Sequence, residues 1–168
     1  MNNGFRDVDC VHVVIGNESC DLDSAVCAIA WAYCLNLYFS TTTVAVIPLL
    51  NIPQQKYHLR TETTFLFRNH GISDDLLTFC DDLDLHDLQR QQKLKLSLVD
   101  LNVLPEKYSD LDNCVISVTD HRPQVRKPDD RVKINIAPVG SCSTLVAEDI
   151  LSQTDFEVDN TILKLLYE

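Results

Sequence analysis

The chain alternates short aliphatic runs with helix-like segments, and that alternation restricts it to few folds. VHVVIG (11–16) is a β-branched run ending in glycine and reads as a buried strand. TVAVIPLL (43–50), LKLSLV (94–99), CVISVT (114–119) and VKINIA (132–137) read as further strands. Between them, Asp21-Leu22-Asp23-Ser24 supplies capping side chains ahead of an apolar helix running from Ala25. Thr61 to His70 reads as a second helix with Gly71 placed to stop it, and Asp84 to Gln92 as a third. Leu76 to Phe79 reads as one more short strand, Ser143 to Leu151 as a helix, and Asp159 as the cap of a last helix, TILKLLYE. The pattern predicts an α/β domain: a mostly parallel β-sheet flanked by helices on both faces. The expected organisation is a tail over 1–10 and one domain over 11–168.

At 168 residues the chain suits one domain with a sizeable core and is short for two. The longest apolar run, Ala25 to Leu35, is too short to span a bilayer, so a buried helix is expected. The start, MNNGFRDVDC, lacks a basic flank leading into an apolar core, so no secretory signal is expected. Seven cysteines, an odd number without a CxxC pair, predict free thiols in a reducing compartment, hence a cytoplasmic location. Cys20, Cys27 and Cys34 recur every seven residues, the pattern of small core side chains on one helix face. A net charge of −11 repels nucleic acid and anionic membranes, so neither is expected as a partner. It also opposes a polyanionic substrate unless charge is reversed locally.

The strand ends supply the chemistry. After VHVVIG come Asn17, Asp21 and Asp23; after LKLSLV comes Asp100; after CVISVT come Asp120, His121 and Arg122. A parallel sheet gathers the turns at its carboxyl edge, where sites in such folds form. Each group has a plainer reading. Asp21 and Asp23 fit helix caps, Asp100 a turn, and His121 a loop before Pro123. Three turns delivering acids to one edge favour a site over three separate accidents. Aspartates with one histidine and no thiolate suit hard divalent cations such as Mg²⁺ or Mn²⁺. Without a cation, gathered carboxylates repel one another and their pKa values rise. Arg122, Arg126, Lys127, Arg131 and Lys133 offer local counter-charge for phosphate, or else a solvated loop. Ser141 to Thr144, at a helix start by its pattern, offers either a phosphate-facing cradle or a simple cap.

These residues resemble a known family. GNESCDLDS (16–24) resembles the first motif of the DHH phosphoesterases, in the prune-type variant with Asn in place of the usual His. LVDLN (98–102) sits where the second motif is found, and TDHRP (119–123) is similar to the DHR form of the third. PVGSCSTLV (138–146), LLNIP (49–53) and DLDLH (82–86) also resemble prune-type segments, all in order. The resemblance implies metal-dependent hydrolysis of phosphoanhydride bonds in short-chain polyphosphate or pyrophosphate, close to the family II inorganic pyrophosphatases. It implies two divalent cations, Mn²⁺ or Mg²⁺: Asp21 and Asp23 each holding one, Asp100 bridging, His121 on the second, and Asn17 where a first-metal histidine stands. Asp100, His121 and Arg122 are then the catalytic set, with Arg122 and Ser141 binding substrate. Cyclic-nucleotide phosphodiesterase activity and a non-catalytic protein-binding role are the alternatives, with nucleoside diphosphate kinase the partner the resemblance implies. Leu101 replaces a usual histidine in the second motif. The family adds a metal-binding aspartate in a fourth motif and a carboxyl-terminal domain, and neither lies within these 168 residues.

Overall fold

The computed structural model describes residues 5, 7–39, 43–125, 129–152 and 157–167. Among them, β1 (Cys10–Ile15), β2 (Val44–Leu49), β3 (Leu94–Val99), β4 (Val115–Asp120) and β5 (Lys133–Ile136) form a single sheet. Its order is β2-β1-β3-β4-β5 and every pairing is parallel. Strands of such a sheet are covered on both faces, which is why they read as nearly continuous apolar runs. On β1, Val11, Val13 and Ile15 enter one core while Val14 enters the other.

The first core holds α1 (Leu22–Tyr38), α3 (Thr61–Asn69), α5 (Cys142–Leu151) and α6 (Asn160–Tyr167), meeting around Trp31, Phe67, Val146, Ile150 and Leu165. The second lies under α4 (Leu85–Arg90) and a 3₁₀ segment, Glu106–Cys114, around Leu88, Leu96, Leu98 and Leu111. Each fully buried Leu or Phe in these cores contributes roughly 1.5–3 kcal/mol. α1 is apolar on nearly all sides because the sheet lies beneath it and α5 and α6 pack beside it. No helix among the described residues is long and apolar enough to cross a membrane.

The expected strands lie within a residue or two of those found, and Asp21, Asp84 and Ser141 cap α1, α4 and α5. Gly71 follows α3 with φ +74°, a conformation glycine adopts without a Cβ penalty. The expected strand over 76–79 does not form. Asp74–Leu76 is a 3₁₀ turn, and only Phe79 bridges to Leu50, beyond the end of β2. The Asp82 carboxylate accepts the Phe79 N–H and bends the chain there. Two elements escaped the apolar-period reading: α2 (Gln54–Tyr57), a single polar turn, and the 3₁₀ segment. Of the expected tail, Phe5 and Val8 pack against the second core. All seven cysteines carry free thiols; Cys20, Cys27, Cys34 and Cys142 are buried, and Cys20 precedes α1 rather than riding on it.

The chain leaves β1 toward β2 on one side and reaches β3 on the other. The crevice between the carboxyl ends of β1 and β3 is therefore the topological switch point, the usual place for a ligand in an open α/β sheet.

Candidate metal centre

Asp100 stands at the centre of that crevice. It follows β3 directly, is 0% exposed, and adopts φ +52°, a left-handed conformation that aspartate tolerates better than most residues. Its N–H donates to Thr119 O across the sheet at 2.9 Å, fixing the side chain at the edge. Asp23 and His121 complete a cluster whose ligand atoms all lie within 4.8 Å of one another. His121 Nε2 is 3.4 Å from Asp100 Oδ1 and 4.0 Å from Asp23 Oδ2.

Each partner is oriented from behind. His121 Nδ1 lies 3.2 Å from the Val139 carbonyl, which only a protonated Nδ1 satisfies; in the neutral ring the Nε2 lone pair then faces the carboxylates. Asp23 lies in the first turn of α1 but is held by the start of α5. Its carboxylate accepts Ser141 Oγ (2.7 Å) and the N–H groups of Cys142 and Ser143 (both 2.9 Å). The anion that this helix start holds is thus Asp23 itself, anchored by backbone donors and the α5 dipole.

The charges are crowded. Burial first, then the neighbouring Asp23, push the Asp100 carboxyl up to about 6 against the pull of Arg122, the rise expected of gathered acids. Asp100 Oδ1 is buried and has no hydrogen-bond partner among the described residues, although Arg122 Nη1 lies 2.8 Å away as an ion pair. A buried carboxylate oxygen without an aligned donor, facing a second carboxylate and an imidazole lone pair, fits a divalent cation. Asp23, Asp100 and His121 are the residues that would hold it.

Asn17 and Asp21 lie on the other side of Asp100. Asn17 Nδ2 donates to Asp100 Oδ2 at 2.7 Å. Asp21 caps α1, accepting Ser24 N–H (3.0 Å) and Ser19 Oγ (2.7 Å), and falls outside the three-residue cluster. Burial pushes its carboxyl up, but the hydrogen bonds from Ser19, Ser24 N–H and Asn17 outweigh that and leave it below the usual range. Arg122 is half exposed at the mouth, donating to Asp100 O at 3.0 Å. The remaining basic residues are elsewhere. Arg131 pairs with Asp129, Lys133 begins β5 at the opposite edge, and Arg126 and Lys127 lie outside the described residues. Leu101 packs against the second core rather than facing the cluster.

The supporting residues were harder to single out. Asp120 is 1% exposed; Asn102 Nδ2 donates to it at 2.6 Å and Arg122 N–H at 3.1 Å, tying the β3 and β4 turns together. Ser24 Oγ accepts Asn17 N–H at 2.8 Å and lies 2.1 Å from where a Cβ on Gly16 would fall, so the turn admits only glycine there. Asn51 Nδ2 holds the Gly16 carbonyl at 3.1 Å. Asn51 and Asn102 stand inside LLNIP and LVDLN, a signal that marked the motifs without marking these side chains.

Comparison with known proteins gives the family and the fold. The chain is 39% identical to the bovine (Bos taurus) exopolyphosphatase PRUNE1 over 160 residues, which cover 94% of this chain and 34% of that protein. The human (Homo sapiens) exopolyphosphatase PRUNE1 is 38% identical over the same length and coverage. The chain therefore spans about a third of the length of these relatives. The fold is shared with a Methanococcus jannaschii protein provisionally assigned as a family II inorganic pyrophosphatase. The TM-score is 0.65 at 22% identity, covering 92% of this chain and 45% of that one. The profile of the DHH family, N-terminal domain, matches residues 12–168, and the chain belongs to that family.

Proposed function

We propose that this chain is the cation-holding half of a phosphohydrolase that cuts phosphoanhydride bonds in pyrophosphate or short-chain polyphosphate. The observation carrying the reading is the meeting of Asp23, Asp100 and His121, from three separate turns, around a buried carboxylate oxygen with no aligned donor. Oxygen and imidazole ligands without thiolate suit Mg²⁺ or Mn²⁺. The names of the bovine and human relatives support a polyphosphate substrate.

The chemistry such a cation supplies when bound is polarisation of a phosphoryl oxygen and activation of the attacking water. The chain's own residues do the rest. Asp100, shielded from solvent, fixes the charge at the centre of the site, and α5 holds Asp23 in place without further reorganisation. His121 keeps its proton on Nδ1 at Val139 O and presents Nε2 inward. Arg122, with its guanidinium at the mouth, meets phosphate oxygens and offsets the substrate's charge against a chain at −11.

The test is titration of the chelator-treated protein with Mn²⁺, followed by calorimetry and thermal unfolding. Saturable binding with a rise in Tm in the wild type, lost in Asp100→Asn, is expected. Equal affinity in the two proteins would remove the cation from this site. Phosphate release from tripolyphosphate tests the reaction, with Arg122→Ala expected to raise KM roughly tenfold and change kcat little. Unchanged kinetics would remove Arg122 from substrate binding.

A further inference from the structure

We propose that the site holds a single divalent cation, because Asn17 closes the position on the far side of Asp100. The inference rests on the cation reading above and concerns how many ions these residues can take.

Asp100 presents two oxygens to two different environments. Oδ1 faces Asp23 and His121 and has no hydrogen-bond partner among the described residues. Oδ2 already accepts the Asn17 amide at 2.7 Å. The orientation of that amide follows from its neighbours: Asn17 Oδ1 accepts Cys20 N–H at 3.0 Å, while Nδ2 faces the carboxylates of Asp100 and Asp21. Reversing it would set the amide hydrogens against the Cys20 N–H and the carbonyl against two carboxylates. An amide nitrogen is a donor with no lone pair to give, so it satisfies Oδ2 and cannot ligate a cation.

The carboxylate that would complete a second position is also engaged. Asp21 gives Oδ1 to the Ser24 N–H, capping α1, and Oδ2 to Ser19 Oγ and, at 3.4 Å, to Asn17 Nδ2. A second cation here would have to displace an amide, a serine hydroxyl and part of a helix cap, gaining one carboxylate in return. On the Oδ1 side fewer hydrogen bonds stand in the way: among the described residues Asp23 Oδ2 accepts one, from Cys142 N–H, His121 is already turned inward, and the cost is the nearby charge of Arg122. Arg122, 2.8 Å from Asp100 Oδ1, adds the positive charge that a second ion would otherwise bring.

The experiment counts ions on the chelator-treated 168-residue chain, using Mn²⁺ as probe, calorimetry for stoichiometry and electron paramagnetic resonance for the state of the bound ion. One Mn²⁺ per chain with the spectrum of an isolated ion is expected. Two per chain with an exchange-coupled spectrum would overturn the single-ion assignment while leaving the cation site intact. No uptake would overturn the cation reading itself, which keeps the two failures apart. Asn17→His replaces the donor by an imidazole ligand and is expected to raise the count from one to two, with coupling appearing. A folded Asn17→His chain, checked by its thermal transition, that still binds one ion would overturn the role given to Asn17.

Discussion

Two polar clusters, each with a buried member at its centre, lie on the same sheet, and they differ in whether their demands are met. In the body of the sheet, His12 Nε2 lies 2.7 Å from Ser97 Oγ, which lies 2.6 Å from Ser117 Oγ. That chain crosses β1, β3 and β4, and its three side chains partner one another without any net charge. At the carboxyl edge, Asp100, Asp23 and His121 set two carboxylates and an imidazole together and leave one buried oxygen with no aligned donor. The first arrangement is complete in the protein alone and reads as architecture. On the proposed reading a cation completes the second, and the contrast then separates a functional cluster from a structural one.

The largest effect expected at the edge is that of Asp100→Asn. It should abolish the Mn²⁺-induced rise in Tm and lower tripolyphosphate hydrolysis by roughly 100-fold or more. Metal-free stability should hold or rise by about 1 kcal/mol in urea denaturation, because a buried like charge is removed while half-exposed Arg122 keeps its solvent. Hydrolysis and thermal shift both surviving would erase the distinction between the clusters. The sheet-body cluster should behave in the opposite way: His12→Ala should cost about 3 kcal/mol through lost packing and orphaned hydroxyls, with Mn²⁺ affinity unchanged. A cost under about 1 kcal/mol would show that the hydroxyl chain is not structural.

Acid sharpens the same comparison. Burial first, and then Lys95, lower the His12 pKa from 6.5 to about 4. The fold requires the neutral ring, whereas the unfolded chain takes up a proton near pH 6.5. The stability is therefore fully present above that pH and is lost as pH falls toward 4. Between pH 7 and pH 5 the loss from this residue should be about 2 kcal/mol, and His12→Gln should flatten that part of the denaturation profile. An unchanged slope in His12→Gln would assign the acid sensitivity elsewhere. The smallest effect is that of Ser141→Ala, which removes the α5 cap and one donor to Asp23. A loss of about 1 kcal/mol and a few-fold weaker Mn²⁺ binding are expected; calorimetry showing unaltered affinity would mean the backbone N–H groups of α5 hold Asp23 without help.

Much of the fold was legible because its signals are local. Strands β1 to β5 announce themselves through aliphatic runs, and Asp21, Asp84 and Ser141 through the capping chemistry that a helix start requires. The segment over 76–79 misled because an apolar run of four residues does not say whether a neighbour is there to pair with. Asn51 and Asn102 went unassigned, and Asp120 was named at its strand end without a role, for a related reason: a polar residue beside a strand has the same local signature whether it supports a site or a turn.

What the sequence by itself determined was which residues stand at the strand ends, and hence that acids and an imidazole converge once the strands lie parallel. The tertiary structure alone decided how each is used. It brought the start of α5 onto Asp23 across 118 residues, turned Leu101 into the core, and aimed the Asn17 amide at one oxygen of Asp100 while leaving the other without a donor. Residue type and spacing fix what a side chain can offer. Burial and the direction of its neighbours' donors, set by segments far apart in the chain, fix what remains unmet, and at Asp100 that is the oxygen to which the proposed cation would bind.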